Sequence, residues 1–180
     1  MEEEIKYLIN KLPSNLSNPL YIEQYYFVNL NYDEYFKNYF PTIDLTKINT
    51  FRLRKIKFNN NTSYILTLKG SGTYKRLEYE CQISKEEFIL FKTKTISLII
   101  KNRYIYQYEE LKFEFDEYLN LDQIMYTCEI EKENILNEKK RIEEIFTNFF
   151  KIDYLDVSLD LRYRNSNLLK YFKKEQKNDL

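Results

Sequence analysis

Charged residues recur at a spacing of two inside segments that are otherwise rich in β-forming residues, and this alternation constrains the fold more than any other feature. It runs through Glu2-x-Glu4-x-Lys6, Arg52-x-Arg54, Arg76-x-Glu78-x-Glu80, Lys101-x-Arg103, Glu114-x-Asp116 and Glu129-x-Glu131, with Lys69 ending another such segment. Side chains two apart on a strand share a face. Each segment therefore offers a charged face and an apolar one, the latter carrying residues such as Leu53, Leu66, Leu68, Tyr79, Phe113, Phe115 and Ile130. A half-buried strand with its charges in water gives the same pattern. Two features go further. The signs are sorted strand by strand, and arginine takes many of the basic positions in a lysine-rich chain, where its fork fits phosphate oxygens. Turned inward by closure of the sheet, such faces make an interior too charged to stay dry. It would suit a polyanion on a basic wall and a divalent cation on an acidic wall, the layout of phosphoryl transfer.

The 180 residues suit one domain with a proper core, 1–180. With 28 basic and 28 acidic residues there is no bulk attraction to nucleic acid or anionic lipid, so neither is an expected partner. The chain has no histidine, which removes Ser-His nucleophile systems and the usual zinc sites and leaves carboxylates, Lys, Arg and Tyr to carry any chemistry. Carboxylates are ligands for hard cations such as Mg²⁺ or Mn²⁺. An acidic N-terminus, no apolar run of membrane length, and two cysteines (Cys81 and Cys128) expected as thiols fit a soluble, cytoplasmic protein.

Strands are expected over 1–8, 21–30, 50–58, 63–69, 76–83, 97–106, 111–118 and 124–132, with loops or short turns over 10–19 and 31–40. Asn59–Asn61 reads as a hairpin turn. Ser84 with Glu87 three residues on marks a helix start running to about Lys94. Ile142, Ile145, Phe146, Phe149 and Phe150 lie at helical spacing within 138–150, and 167–175 reads as a last helix before a polar tail. The whole suggests an α+β protein on a large antiparallel sheet or closed barrel with peripheral helices.

Taken in order, these segments resemble the CYTH superfamily, the triphosphate tunnel metalloenzymes, nearly end to end. The opening EEEIKYLINKLP resembles the ExExK hallmark, and YIEQYYF the IEQGYL-type stretch with Tyr25 in place of glycine and Tyr26 at the usual tyrosine. FRLRK, LTLKG, RLEYE, IKNRY, FEFDEY and CEIE are similar to the RxR, TxKG, RxExE, KTRY, WEVDEF-type and AEIE strands, and the ending DLRYRNSNL to DPRYYNSNL. The likeness is strongest to short bacterial members.

The resemblance implies an eight-stranded antiparallel β-barrel, a tunnel, that hydrolyses a triphosphate with Mg²⁺ or Mn²⁺. It implies Lys6, Arg52, Arg54, Lys69, Arg76, Lys101 and Arg103 as phosphate ligands, and Glu2, Glu4, Asp116, Glu129 and Glu131 as metal ligands. Lys6, Glu78, Glu80 and Lys101 are the candidates for catalytic roles, with Glu114 less clearly placed. Plain alternatives stand beside these: Lys101 and Arg76 as ion-pair partners of nearby carboxylates, Asp116 and Glu114 as rim residues, Tyr26 as packing, Asp160 and Arg162 as structural residues closing the tunnel end. Glu23, out of phase with Tyr26, is expected exposed, and Lys55, Lys57, Lys75 and Lys112 solvated. Inorganic tripolyphosphate is the leading substrate. A nucleoside or thiamine triphosphatase, or an adenylate cyclase, would need a stacking ring such as Tyr25, Phe36 or Tyr74 at the mouth. A non-catalytic triphosphate sensor is a third reading; intact acidic pairs argue against it. Lys6, where RNA 5′-triphosphatase tunnels are expected to carry another carboxylate, argues against that activity. Monomer and homodimer both remain open.

Overall fold

The computed structural model describes residues 2–27 and 36–173. The expected second strand past Phe27, the 31–35 part of the next loop, and the last helix and tail past Lys173 lie outside the described residues. Ten strands take up the period-two segments: β1 (Glu2–Ile9), β2 (Leu20–Phe27), β3 (Ile48–Phe58), β4 (Asn61–Gly70), β5 (Lys75–Arg76), β6 (Glu78–Gln82), β7 (Thr95–Tyr108), β8 (Leu111–Tyr118), β9 (Tyr126–Glu131) and β10 (Tyr154–Asp156). They form one antiparallel sheet in the order β10-β1-β9-β8-β7-β2-β3-β4-β6, and β5 pairs back onto β1. Since β5 and β6 are one strand broken at Leu77, that last pairing closes the ring, and eight strands make the barrel as expected. Strand β10 covers Tyr7–Ile9, the stretch of the β1 edge that β5 leaves bare, and no alternating pattern in the sequence announces it.

Register turns the charged faces inward together. Across the walls Lys6 lies opposite Glu129, Lys69 opposite Glu78 and Arg103 opposite Asp116. Two pairs of like sign also face each other, Glu4 with Glu131 and Glu114 with Glu129. The apolar faces point outward and need cover, which the helices and loops supply. Ile5, Tyr7, Phe113, Phe115, Cys128 and Ile130 are fully buried beneath helix α2 (Lys139–Ile145) and the π-helical turn Phe146–Phe150 that prolongs it. The periodicity over 138–150 is thus the face that covers the barrel. On the other flank Leu53, Leu66 and Leu68 lie under helix α1 (Lys85–Lys92) through Phe88 and Phe91, together with Phe36 and Phe40. Ser84 and Glu87 close a reciprocal capping box at the start of α1.

A third cluster sits inside. Tyr26, Ile99 and Tyr118 continue the inward-facing phase of β2, β7 and β8, and they meet Met125 and Leu168 of the short helix α3 (Leu168–Phe172). This apolar plug blocks one end of the tunnel. Both cysteines are free, Cys128 wholly buried on the outer face of β9. Among the described residues no helix is long and apolar enough to cross a membrane.

Candidate active site

Beyond the plug the interior holds two chambers that share Glu4, Arg52, Lys69 and Glu129 as their common wall. The first, about 80 Å³, is bounded by Lys6, Arg76, the Gly70–Thr73 loop and the C-terminal segment 157–166. The second, about 230 Å³, is lined by Arg54, Glu78, Glu80, Arg103, Glu114 and Glu131 with Gln24 and Lys112. Strand alternation brings the strand-borne side chains to one face, and the 70–73 loop and the 157–166 segment add the rest.

On the β3–β4–β6 wall the guanidinium of Arg52 donates to Thr67 Oγ1 at 3.3 Å and to Glu78 and Glu80, each at 3.2 Å. Arg54 also pairs with Glu80, and Lys69 with Glu78. These carboxylates hold the cations where they stand. The pairing leaves Arg52 Nε and Arg54 Nε buried with no hydrogen-bond partner. A buried donor without a partner costs about 1–3 kcal/mol, more when charged. Burial, and then the charge of Arg52, press Arg54 below its ordinary value of 12.5. An anion would supply both the missing acceptors and the missing charge.

On the β1–β9 wall Lys6 Nζ lies 2.9 Å from Glu129, donates to Asn165 Oδ1 at 2.9 Å and reaches Tyr118 Oη at 3.2 Å. Burial alone would lower the Lys6 ammonium, but Glu129 and its neighbours more than reverse this and hold it above its ordinary value. Glu129 is correspondingly held well below the usual carboxylate range: its burial is outweighed by Lys6, Arg103 and Lys101. Arg76 pairs with Glu4 at 3.3 Å. Glu2 is brought opposite Arg76 by its backbone, and its carboxylate lies outside the described residues.

Lys101 and Asp116 line neither chamber. They form a pair at 2.6 Å inside the barrel beside the plug residue Tyr118, 1% and 0% exposed, and Asp116 also receives Nε and an Nη of Arg103, each at 2.7 Å. Asp116 is therefore no rim residue: it aims Arg103 into the second chamber. Glu114, which does line that chamber, pairs with Arg103 and, at 2.7 Å, with Lys112. Lys75 pairs with Glu3 and Lys55 with Glu23, all on the outer face, where Glu23 is half-buried beside Tyr25. Asp160 caps the turn Leu161–Tyr163 and pairs with Arg162 at 2.5 Å, a structural role as expected.

Four contributors escaped the sequence reading. Tyr118 and Gln24 sit two residues from Asp116 and Tyr26, so the same spacing would have found them. Asn165 and Arg164 come from the segment 157–166, whose folding back onto Lys6 through Lys6 N–H to Ser158 Oγ (3.0 Å) and Val157 N–H to Lys6 O (2.9 Å) shows no period; the ending DLRYRNSNL marked the stretch without giving these two residues a role. The aromatics considered for stacking on a base lie elsewhere: Tyr25 and Phe36 are buried in the outer core, and Tyr74 packs on the other outer cluster.

Among the described residues no three acidic or thiol side chains converge as a ready cation cage. Magnesium is commonly held by only one or two carboxylates, with water and phosphate completing its shell. The like-signed pair Glu4 and Glu131, opposite each other on the chamber wall, has the donor chemistry for that arrangement.

No family model matches the chain. The inorganic triphosphatase of Acetivibrio thermocellus is 35% identical over 121 residues, 64% of this chain and 70% of the relative. The crystal structure of the inorganic triphosphatase NE1496 superposes on 97% of this chain and 97% of its own at a TM-score of 0.58 and 22% identity. The PH1819 protein of Pyrococcus horikoshii OT3 does so over 94% of this chain and 98% of its own, at 0.62 and 19%; both likenesses speak for the fold alone. With that identity to a curated relative, on a closed barrel whose inward faces are the charged ones, the chain belongs to the CYTH family of triphosphatases.

Proposed function

We propose that the protein hydrolyses inorganic tripolyphosphate to pyrophosphate and phosphate, with Mg²⁺ or Mn²⁺ on the acidic side of the chambers. The observation that carries this is the pair of orphaned guanidinium donors, Arg52 Nε and Arg54 Nε, buried in a wall where their forks are held by Glu78 and Glu80. A chain of phosphates along the chambers would meet Arg54, Arg52, Lys69, Lys6 and Arg76 in turn. Among the described residues the chamber linings favour the inorganic substrate: the rings they carry, Tyr26 and Tyr163, belong to or pack against the plug. The named activity of the Acetivibrio relative points the same way.

In this reading Arg52, Arg54 and Lys69 neutralise the phosphate under attack, and Arg103, aimed by Asp116, supports it from the opposite wall. A carboxylate of the Glu78–Glu80 pair takes the proton of the attacking water as its oxygen bonds to the terminal phosphorus. The bridging P–O bond then breaks, and its electron pair leaves with pyrophosphate. Lys6, held in its charged state by Glu129, stabilises that leaving charge without giving up its proton. A divalent cation held by Glu4 and Glu131, with Glu2 and Glu129 beside them in sequence phase, would neutralise phosphate oxygens and acidify a bound water. The free cysteines fit a reducing, cytoplasmic setting.

The test is phosphate release from tripolyphosphate, ATP and thiamine triphosphate with Mg²⁺, Mn²⁺ or EDTA, with Glu4→Gln alongside. Metal-dependent turnover of tripolyphosphate that falls at least a hundredfold in the variant is expected, about the effect of removing one transition-state group. Preference for ATP or thiamine triphosphate would overturn the inorganic assignment. Tight binding with no release under any metal would make the protein a sensor.

A further inference from the structure

Arg164 is the one cation of the first chamber that the C-terminal segment brings in, and it differs from the others in its partners. Arg52, Lys69, Arg76 and Lys6 each face a carboxylate. Arg164 makes no ion pair among the described residues; its Nη2 donates to Gly72 O at 2.7 Å, and its side chain lines the chamber. That anchoring carbonyl is itself fixed. Gly72 has φ +141°, and a Cβ there would come within 2.1 Å of Lys75 O, so only glycine lets the loop present this carbonyl. Burial and the nearby charge of Arg76 both press Arg164 below its ordinary value, with Glu4 the opposing charge. A guanidinium is nevertheless charged at any ordinary pH. Two arginines thus meet at one end of the chamber.

We propose that Arg164 is a specificity-determining residue that reads the phosphate at the end of the substrate opposite the attacked phosphorus and selects one bearing no organic ester there. An unesterified terminal phosphate offers three open oxygens and the larger negative charge, so it can accept from Arg76 and Arg164 together. An esterified phosphate gives up one oxygen and must also pass its organic group where the 70–73 loop and the 157–166 segment close over the chamber. The ending DPRYYNSNL, to which this chain's ending is similar, has tyrosine at the place of Arg164, so the contact belongs to this chain's own sequence. The inference rests on the triphosphatase reading for its ligand, not for its readout.

The experiment is calorimetric binding of tripolyphosphate and of ATP in EDTA, where no turnover intervenes, to the unaltered protein, Arg164→Tyr and Arg164→Lys. Loss of one charge-assisted contact should weaken tripolyphosphate binding about tenfold or more in Arg164→Tyr, while ATP binding changes less than about twofold. Arg164→Lys, which keeps the charge and loses the fork, should fall between. Thermal melting within a few degrees of the unaltered protein verifies the fold of each variant. Equal losses for both ligands, or none for either, would overturn the assignment. Tripolyphosphate binding with the expected selectivity but no phosphate release when Mg²⁺ or Mn²⁺ is then supplied would sink the hydrolase reading and leave Arg164 in place. Absence of any tripolyphosphate binding by the unaltered protein, both in EDTA and with Mg²⁺ or Mn²⁺, would overturn both.

Discussion

Lys101 shows how far the burial of charge can set behaviour at a single residue. Its ammonium is 1% exposed, and its Asp116 partner is shared with Arg103. Burial first, and then the charge of Arg103, push Lys101 down to about 8 from 10.5. Arg103 moves the other way, its own burial outweighed by Asp116, Glu114 and Glu129. Raising the pH past about 8 therefore discharges Lys101 while Arg103 keeps its charge, and the interior loses one positive charge that favours an anion. Tripolyphosphate affinity should fall with an inflection near that pH, and Lys101→Arg, whose guanidinium stays protonated, should lose the inflection. Calorimetry from neutral pH to about pH 10 reads this, and the difference between the two profiles removes the ligand's own ionisation. Superimposable profiles would show that Lys101 does not titrate there. Lys101 also marks a limit of sequence reading. Spacing put it correctly on the inward face beside Arg103, but it could not say that Asp116 would hold it out of both chambers, toward the plug. That depends on the register of β7 against β8, a property of two strands.

At the scale of elements, the two helical additions to the barrel do different work. The π-helical turn buries Phe146 completely, against Tyr7 at 5.0 Å and Phe113 at 5.8 Å between ring centroids, so it seals the outer face of three strands. Helix α3 is five residues long, and Leu168 is the only one of them fully buried. Phe146→Ala should lower global stability by about 3–5 kcal/mol, the usual cost of emptying an aromatic site in a core. Leu168→Ala removes comparable packing from an element that can detach alone, so it should mainly speed amide hydrogen exchange in 163–172 and leave exchange in β8 and β9 slow. Equal acceleration throughout the barrel in Leu168→Ala would show that the plug is part of the cooperative core. The same contrast explains what was legible. The 138–150 helix and the eight barrel strands repeat at 3.6 or 2 residues, and the Ser84 box is a local motif. Strand β10, the 157–166 segment and the plug have no period; long-range pairing with β1 and Lys6 creates them.

The whole molecule is an inside-out arrangement: apolar faces turned outward under helices and loops, and ion pairs turned inward where desolvation is most expensive. Breaking one buried pair leaves an uncompensated charge and typically costs about 3–5 kcal/mol. Stability should accordingly follow the protonation of the inward carboxylates. Glu129 and Glu80 are both held below their ordinary 4.5, in each case because neighbouring cations outweigh burial. A carboxylate lowered in the folded state contributes stability that is fully present above its unfolded value and is lost as pH falls through the folded one. Melting temperature should therefore vary little between neutral pH and about pH 5 from these groups, then drop steeply below 4.5. Glu129→Gln should melt lower at neutral pH, since Lys6 and Arg103 lose a shared partner, and its acid fall should be shallower because one linked proton is gone. Tripolyphosphate at about a hundred times its dissociation constant should add about 2.7 kcal/mol to the unaltered protein through binding the folded state alone. In Glu129→Gln the added anion compensates the two freed cations as well, so its stabilisation should be larger at the same concentration. Scanning calorimetry of both proteins with and without the anion reads all of these. A variant that melts like the unaltered protein, with the same acid profile and the same response to the anion, would mean that the inward charges are already balanced by solvent.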